Sequence, residues 1–229
     1  MSTGQQKNQR TPMWITVVAA LILGLGWLVF ESGLLDRVLG PDPTGSAPVA
    51  ASGEAATQLD ELAVEPAGSM DGYSRDHFDH WTSAPDAGKN CNTREAVLER
   101  DGDGVRVDNA CRATSGSWVS GYTGETLDDD GDVDIDHMVP LANAWRSGAD
   151  EWTDERREQF ANDRQLPQLT AVDKSSNRAK GDKDPSQWKP VESAWCDYAT
   201  DWVTVKHSYG LSITSAEKSA LHEMLATCG

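Results

Sequence analysis

The chain has 229 residues, 20 Lys and Arg against 37 Asp and Glu, and a formal net charge of −17. That length holds one ordinary domain with accessories and excludes a disulfide-only miniprotein or a large multidomain assembly. So acidic a chain is expected to be soluble and, taken as a whole, repelled by polyanions, which weighs against nucleic acid as a partner.

Residues 1–12 carry Lys7 and Arg10 and no acidic residue, and residues 13–30 (MWITVVAALILGLGWLVF) form an uncharged apolar run. A spanning helix needs roughly 17–25 such residues, so the run qualifies as a transmembrane signal-anchor. Its basic flank predicts a cytoplasmic N-terminus with the remainder of the chain outside. A cleaved signal peptide is the competing reading, with a cleavage site offered by the Ala-rich stretch 47–51. The two readings give a single-pass membrane protein and a secreted one, and both place the working domain outside the cytoplasm. Residues 31–70 read as a disordered linker: from 41 on they hold four Pro, no aromatic residue and no Lys or Arg, too little to offset ordering entropy by burial.

Residues 71–229 form the working domain. Short β-like pieces (Val105–Val107, Trp118–Val119, Val133–Ile135) alternate with Gly- and Asp-rich turns. Helical patterning follows at 141–147 and at 154–161, where Thr153 can cap. Trp195, Tyr198, Ala199, Trp202, Val205 and Tyr209 keep helical spacing up to a stop at Gly210. Thr214 and Glu217 make a capping box for a last helix. The fold class is therefore α+β, with helices dominating the second half. Cys91, Cys111, Cys196 and Cys228 include no C-x-x-C pair, and an even count in an exported chain favours two disulfides. Three pairings are possible, and locality favours Cys91–Cys111 and Cys196–Cys228, the second stapling the two C-terminal helices.

Chemistry concentrates in two places. Asp134-Ile-Asp136-His137-Met-Val-Pro140-Leu141 sets a hard oxygen ligand beside a titratable imidazole at the end of an apolar strand. Gln168-Leu-Thr-Ala-Val-Asp173 is a second short strand running into an N-cap, so a helix starts at 174 and carries Asn177, Arg178, Lys180 and Lys183. Each residue taken alone has a plainer reading as a structural or solvated side chain. His77 and His80, in Asp76-His-Phe-Asp-His, read more readily as surface or core residues than as a metal pair, and His207 and His222 read as structural. Two acidic stretches, 99–104 and 125–136, invite Ca²⁺, yet neither matches the full EF-hand pattern.

Together, strand, Asp-His, strand and an Asn-bearing basic helix resemble the HNH, or ββα-metal, nuclease motif. The likeness is to exported bacterial endonucleases related to the GmrSD-type HNH domain. It extends over Tyr73–Trp81, Cys91–Leu98, Asp134–Gly148, Phe160–Asp163 and Asn177–Trp188. The resemblance implies a ββα-metal core with added helices, in which His137 is the general base and Asp136 and Asn177 hold one divalent metal. Mg²⁺ is expected, with Mn²⁺ or Zn²⁺ as other choices. Arg178, Lys180 and Lys183 would contact backbone phosphates of DNA, with RNA as a further substrate, and Arg94 would add another contact. The middle Asn of the motif has no counterpart, and Gln168 occupies its place as support for the loop that carries the His. The implied function is a non-specific, metal-dependent endonuclease yielding 5′-phosphate ends. The alternatives are an exported cell-envelope binding protein with a silent HNH fold, holding Ca²⁺, and a phosphodiesterase for small substrates.

Overall fold

The structure, a computed structural model, describes residues 47–229. In chain order it comprises helices α1 (Ala47–Glu61) and α2 (Thr93–Asp101), then strands β1 (Gly102–Val107), β2 (Ala113–Val119), β3 (Thr126–Leu127) and β4 (Val133–His137). Helices α3 (Leu141–Arg146) and α4 (Asp154–Ala161) lead to strand β5 (Leu169–Asp173) and helices α5 (Lys174–Lys180), α6 (Trp195–Tyr209) and α7 (Ser215–Leu225). The expected caps are in place: Thr153 accepts from Arg156 N at 3.3 Å, Asp173 from Ser176 N at 2.8 Å, and Thr214 and Glu217 form a capping box. Gly210 ends α6 in the left-handed region at φ 65°.

The strands form two small antiparallel sheets, β1-β2-β3 and β4-β5. In the second sheet Asp134 lies opposite Val172, Asp136 opposite Thr170 and His137 opposite Leu169. Because side chains alternate along a strand, one face of this pair presents Val133, Ile135, Leu169 and Ala171 to Val97, Leu98 and Trp118. The other face places Val172 in a larger core shared with α6 and α7, and Asp134 and Asp136 alternate onto that side. The outer edge of β5 is covered by side chains rather than a third strand. Arg100 donates to Leu169 O, Asp101 accepts from Ala171 N at 2.9 Å, and Ser120 Oγ accepts from Asp173 N at 3.2 Å, so these edge groups are satisfied.

Two expectations change. The linker expected over 31–70 is helical in its latter part: α1 buries Ala55 and Leu59, Leu62 follows, and all three join the core of α6 and α7. Beyond it Val64 bridges to Ile213. The reason is an apolar stripe at 55, 59 and 62, narrow enough to be masked by the surrounding Pro, Gly and Glu. Helix α2 was also unforeseen; Asn92 caps it by accepting from Glu95 N at 3.0 Å. The apolar run 13–30 lies outside the described residues, among which no helix is long and apolar enough to cross a membrane. Both disulfides follow the local pairing, Cys91–Cys111 and Cys196–Cys228. The second ties the first turn of α6 to the chain just past α7.

Candidate active site

Strands β4 and β5 lead directly into α5, and Asp136, His137 and Asn177 from this ββα unit line one cavity of about 220 Å³. Tyr73, Arg75, Pro140 and Asp182 also line it. His137 is buried, and its Nε2 lies 2.9 Å from the carbonyl of Ala161, at the end of α4. A carbonyl only accepts, so Nε2 carries the proton and Nδ1 keeps a free lone pair. Burial pushes the imidazole down to about 3, with the Ala161 carbonyl partly offsetting it, so the ring is neutral at physiological pH.

The loop after His137 is held by Gln168, which is fully buried. Its side-chain oxygen accepts from Val139 N at 3.1 Å and its amide donates to Val139 O at 3.0 Å, while its own carbonyl accepts from Met138 N at 2.7 Å. Asp136 is buried and points one oxygen inward: Oδ2 accepts from Tyr122 Oη at 2.6 Å and pairs with Lys180 Nζ at 2.7 Å. Its Oδ1 has no protein partner among the described residues. Asn177 donates from Nδ2 to Asp134 Oδ2 at 3.1 Å. Because a carboxylate only accepts, this bond fixes the amide orientation and leaves Asn177 Oδ1 as an uncommitted acceptor.

Asp136 Oδ1 and Asn177 Oδ1 are two hard oxygens beside a polar cavity with room for several waters. Such a donor set fits a divalent ion that keeps much of its hydration, as Mg²⁺ does. No group of three or more His, Cys, Asp or Glu side chains is placed to hold a metal among the described residues.

The expected phosphate contacts are placed differently from one another. Lys180 is fully buried, bonded to Asp136 and, at 2.9 Å, to the His137 carbonyl, so it cannot reach a substrate phosphate. Its long stem fills the space beneath the site, a position that the run of basic residues in α5 concealed. Lys183 is exposed and donates to Ala179 O at 2.6 Å. Arg178 is exposed on α5. Arg94 pairs with Glu95 at 2.9 Å on α2 and does not line the cavity. Sequence reasoning missed Tyr122, Asp134 as the partner of Asn177, and Arg75. Tyr122 sits in a Gly-bounded turn with no local signal. His80, which in sequence reads as a surface or core residue, has its ring centroid 6.2 Å from that of His137.

Comparison with known proteins bears on the same residues. The family described as GmrSD restriction endonucleases, C-terminal domain, matches residues 97–224. A protein of Arthroderma benhamiae named "Uncharacterized secreted protein" is 53% identical over 190 residues, covering 82% of this chain and 92% of its own length. No solved structure matches the chain. Asp136, His137, Gln168, Asn177 and Lys180 all fall within the matched span, and the chain belongs to the family of GmrSD restriction endonuclease C-terminal domains.

Proposed function

We propose that this chain is an exported HNH-type endonuclease that hydrolyses phosphodiester bonds of DNA with one divalent metal and no sequence selection. The observation that carries the reading is the tautomer lock on His137. A neutral imidazole whose Nδ1 keeps its lone pair lines the same polar cavity as Asp136 and Asn177, each of which has an uncommitted oxygen among the described residues. His137 Nδ1 takes the proton of a water as its oxygen bonds to phosphorus, and the P–O3′ bond breaks to leave a 5′-phosphate. The neutral ring has its proton-accepting nitrogen available at physiological pH. Asp136 and Asn177 would hold the ion through their uncommitted oxygens, and it would supply positive charge to the phosphate and the departing oxygen. Tyr122 and Lys180 keep Asp136 turned, and Gln168 keeps the His137 loop in place.

Export is supported by the two closed disulfides, the apolar run 13–30 and the secreted relative. The described elements include no helix-turn-helix or zinc module, so backbone contacts rather than base readout support DNA as a general substrate. The test is supercoiled plasmid incubated with the full chain in Mg²⁺ and in EDTA. Nicking in Mg²⁺, its abolition by EDTA and its loss in Asp136→Asn are expected. Equal cutting in EDTA, or none under Mg²⁺, Mn²⁺ or Zn²⁺, would overturn the reading.

A further inference from the structure

A phosphodiester in this cavity needs a donor wall facing its non-bridging oxygens, and the lysine of α5 nearest the metal ligands cannot supply it, since Lys180 is buried on Asp136. Besides Asp136 and Asn177, the cavity is lined by Tyr73 and Arg75 of the segment Tyr73–His80, which lies ahead of the span 97–224 that the family matches. Arg75 lines the cavity from this segment and, among the described residues, forms no ion pair.

Its direction is set by His80. His80 Nδ1 lies 2.9 Å from Phe78 O, which can only accept, so Nδ1 carries the proton and Nε2 is an acceptor. Arg75 Nε donates to that Nε2 at 3.3 Å. Among the described residues both Nη groups of the guanidinium are left without a partner, and a planar fork of this kind matches two oxygens of a phosphate. The segment is anchored. Phe78 is fully buried, Arg157 donates to His77 O at 3.3 Å, and Asn162 donates to Asp79 O at 2.7 Å. Trp81, held in the left-handed region at φ 62°, lies against the His137 ring with centroids 5.3 Å apart.

We propose that Arg75, aimed by His80, is the substrate-binding guanidinium of the cavity and takes the non-bridging oxygens of the phosphodiester held beside Asp136 and Asn177. The role rests on the nuclease reading above. Arg75 binds substrate, and His80 is a positioning residue acting through it.

The experiment measures binding of a fluorescein-labelled DNA duplex in EDTA by anisotropy, across a salt series, and then plasmid cleavage in Mg²⁺. It uses the full chain and the variants Arg75→Ala, Arg75→Lys and His80→Ala. Arg75→Ala is expected to weaken metal-free binding and raise KM by about tenfold, and to lower the slope of log K against log salt by about 1. Its Tm should not change. Arg75→Lys keeps the charge without the fork and should recover part of the binding. His80→Ala should raise KM several-fold with little change in kcat. If the wild type cuts DNA while Arg75→Ala binds and cuts as well, the inference falls and the nuclease reading stands. A loss in both Arg75 variants that tracks a fallen Tm would also overturn it, marking Arg75 as structural. A wild type that neither binds nor cuts removes the reading and the inference with it.

Discussion

The ammonium of Lys180 lies inside the protein, 2.7 Å from Asp136 and 2.9 Å from the His137 carbonyl. Burial pushes its proton affinity below the usual lysine range, and the Asp136 charge partly offsets this. Lys180→Met leaves Asp136 with Tyr122 as its remaining donor in a buried place. That change is expected to cost roughly 3–5 kcal/mol in chemical denaturation, whereas Lys183→Met on the surface should stay within about 0.5 kcal/mol. Equal small effects would place Lys180 in solvent. At this scale the sequence could show which residue types are close along the chain but not which way a side chain leaves its helix. Asp136, His137 and Asn177 were legible because their chemistry is tied to a local strand–loop–helix pattern. Tyr122 reaches Asp136 from a turn 14 residues away, and Arg75 joins the cavity from a segment about 60 residues earlier in the chain. Neither carries a pattern that spacing can expose.

Elements were legible where caps and wide apolar stripes coincide. Helices α5 and α7 begin where Asp173 and Thr214 predicted, and the aromatic stripe of α6 packs inside. Helix α1 escaped notice because few apolar side chains secure it. Leu59 is fully buried, so Leu59→Ala is expected to lower stability by roughly 2–5 kcal/mol. A loss below about 0.5 kcal/mol in denaturant titration would return the segment to the status of a tether. Helix α6 also contains an unfavourable pair. Burial, and then the charge of Asp197 one turn earlier, push Asp201 up to about 7. An unfolded Asp ionises near 3.9, so between roughly pH 4 and 7 the folded state binds the extra proton and stability falls as pH rises. Asp201→Asn removes that loss. Its gain in Tm over the wild type is expected to grow from pH 4 to pH 7 and then level off. A gain that is constant with pH would contradict this account.

Over the whole molecule, the net charge of −17 conceals a local reversal. Residues 164–189 hold Arg164, Lys174, Arg178, Lys180, Lys183 and Lys189 against Asp173, Asp182 and Asp184. The structure thins that basic stretch, since Lys180 is internal and Arg164 pairs with Asp86. On the proposed reading, encounter with DNA would therefore be weakly steered, and holding a phosphate would fall to a few groups around the cavity rather than to a broad basic face. The central claim is that His137 Nδ1 removes the proton from the attacking water. Its most direct test is single-turnover cleavage of plasmid in Mg²⁺ by the full chain and by His137→Ala, compared at matched circular dichroism. The account predicts a rate about 10²–10⁴-fold lower for His137→Ala, partly restored by added imidazole. Cutting by His137→Ala at the wild-type rate would contradict it.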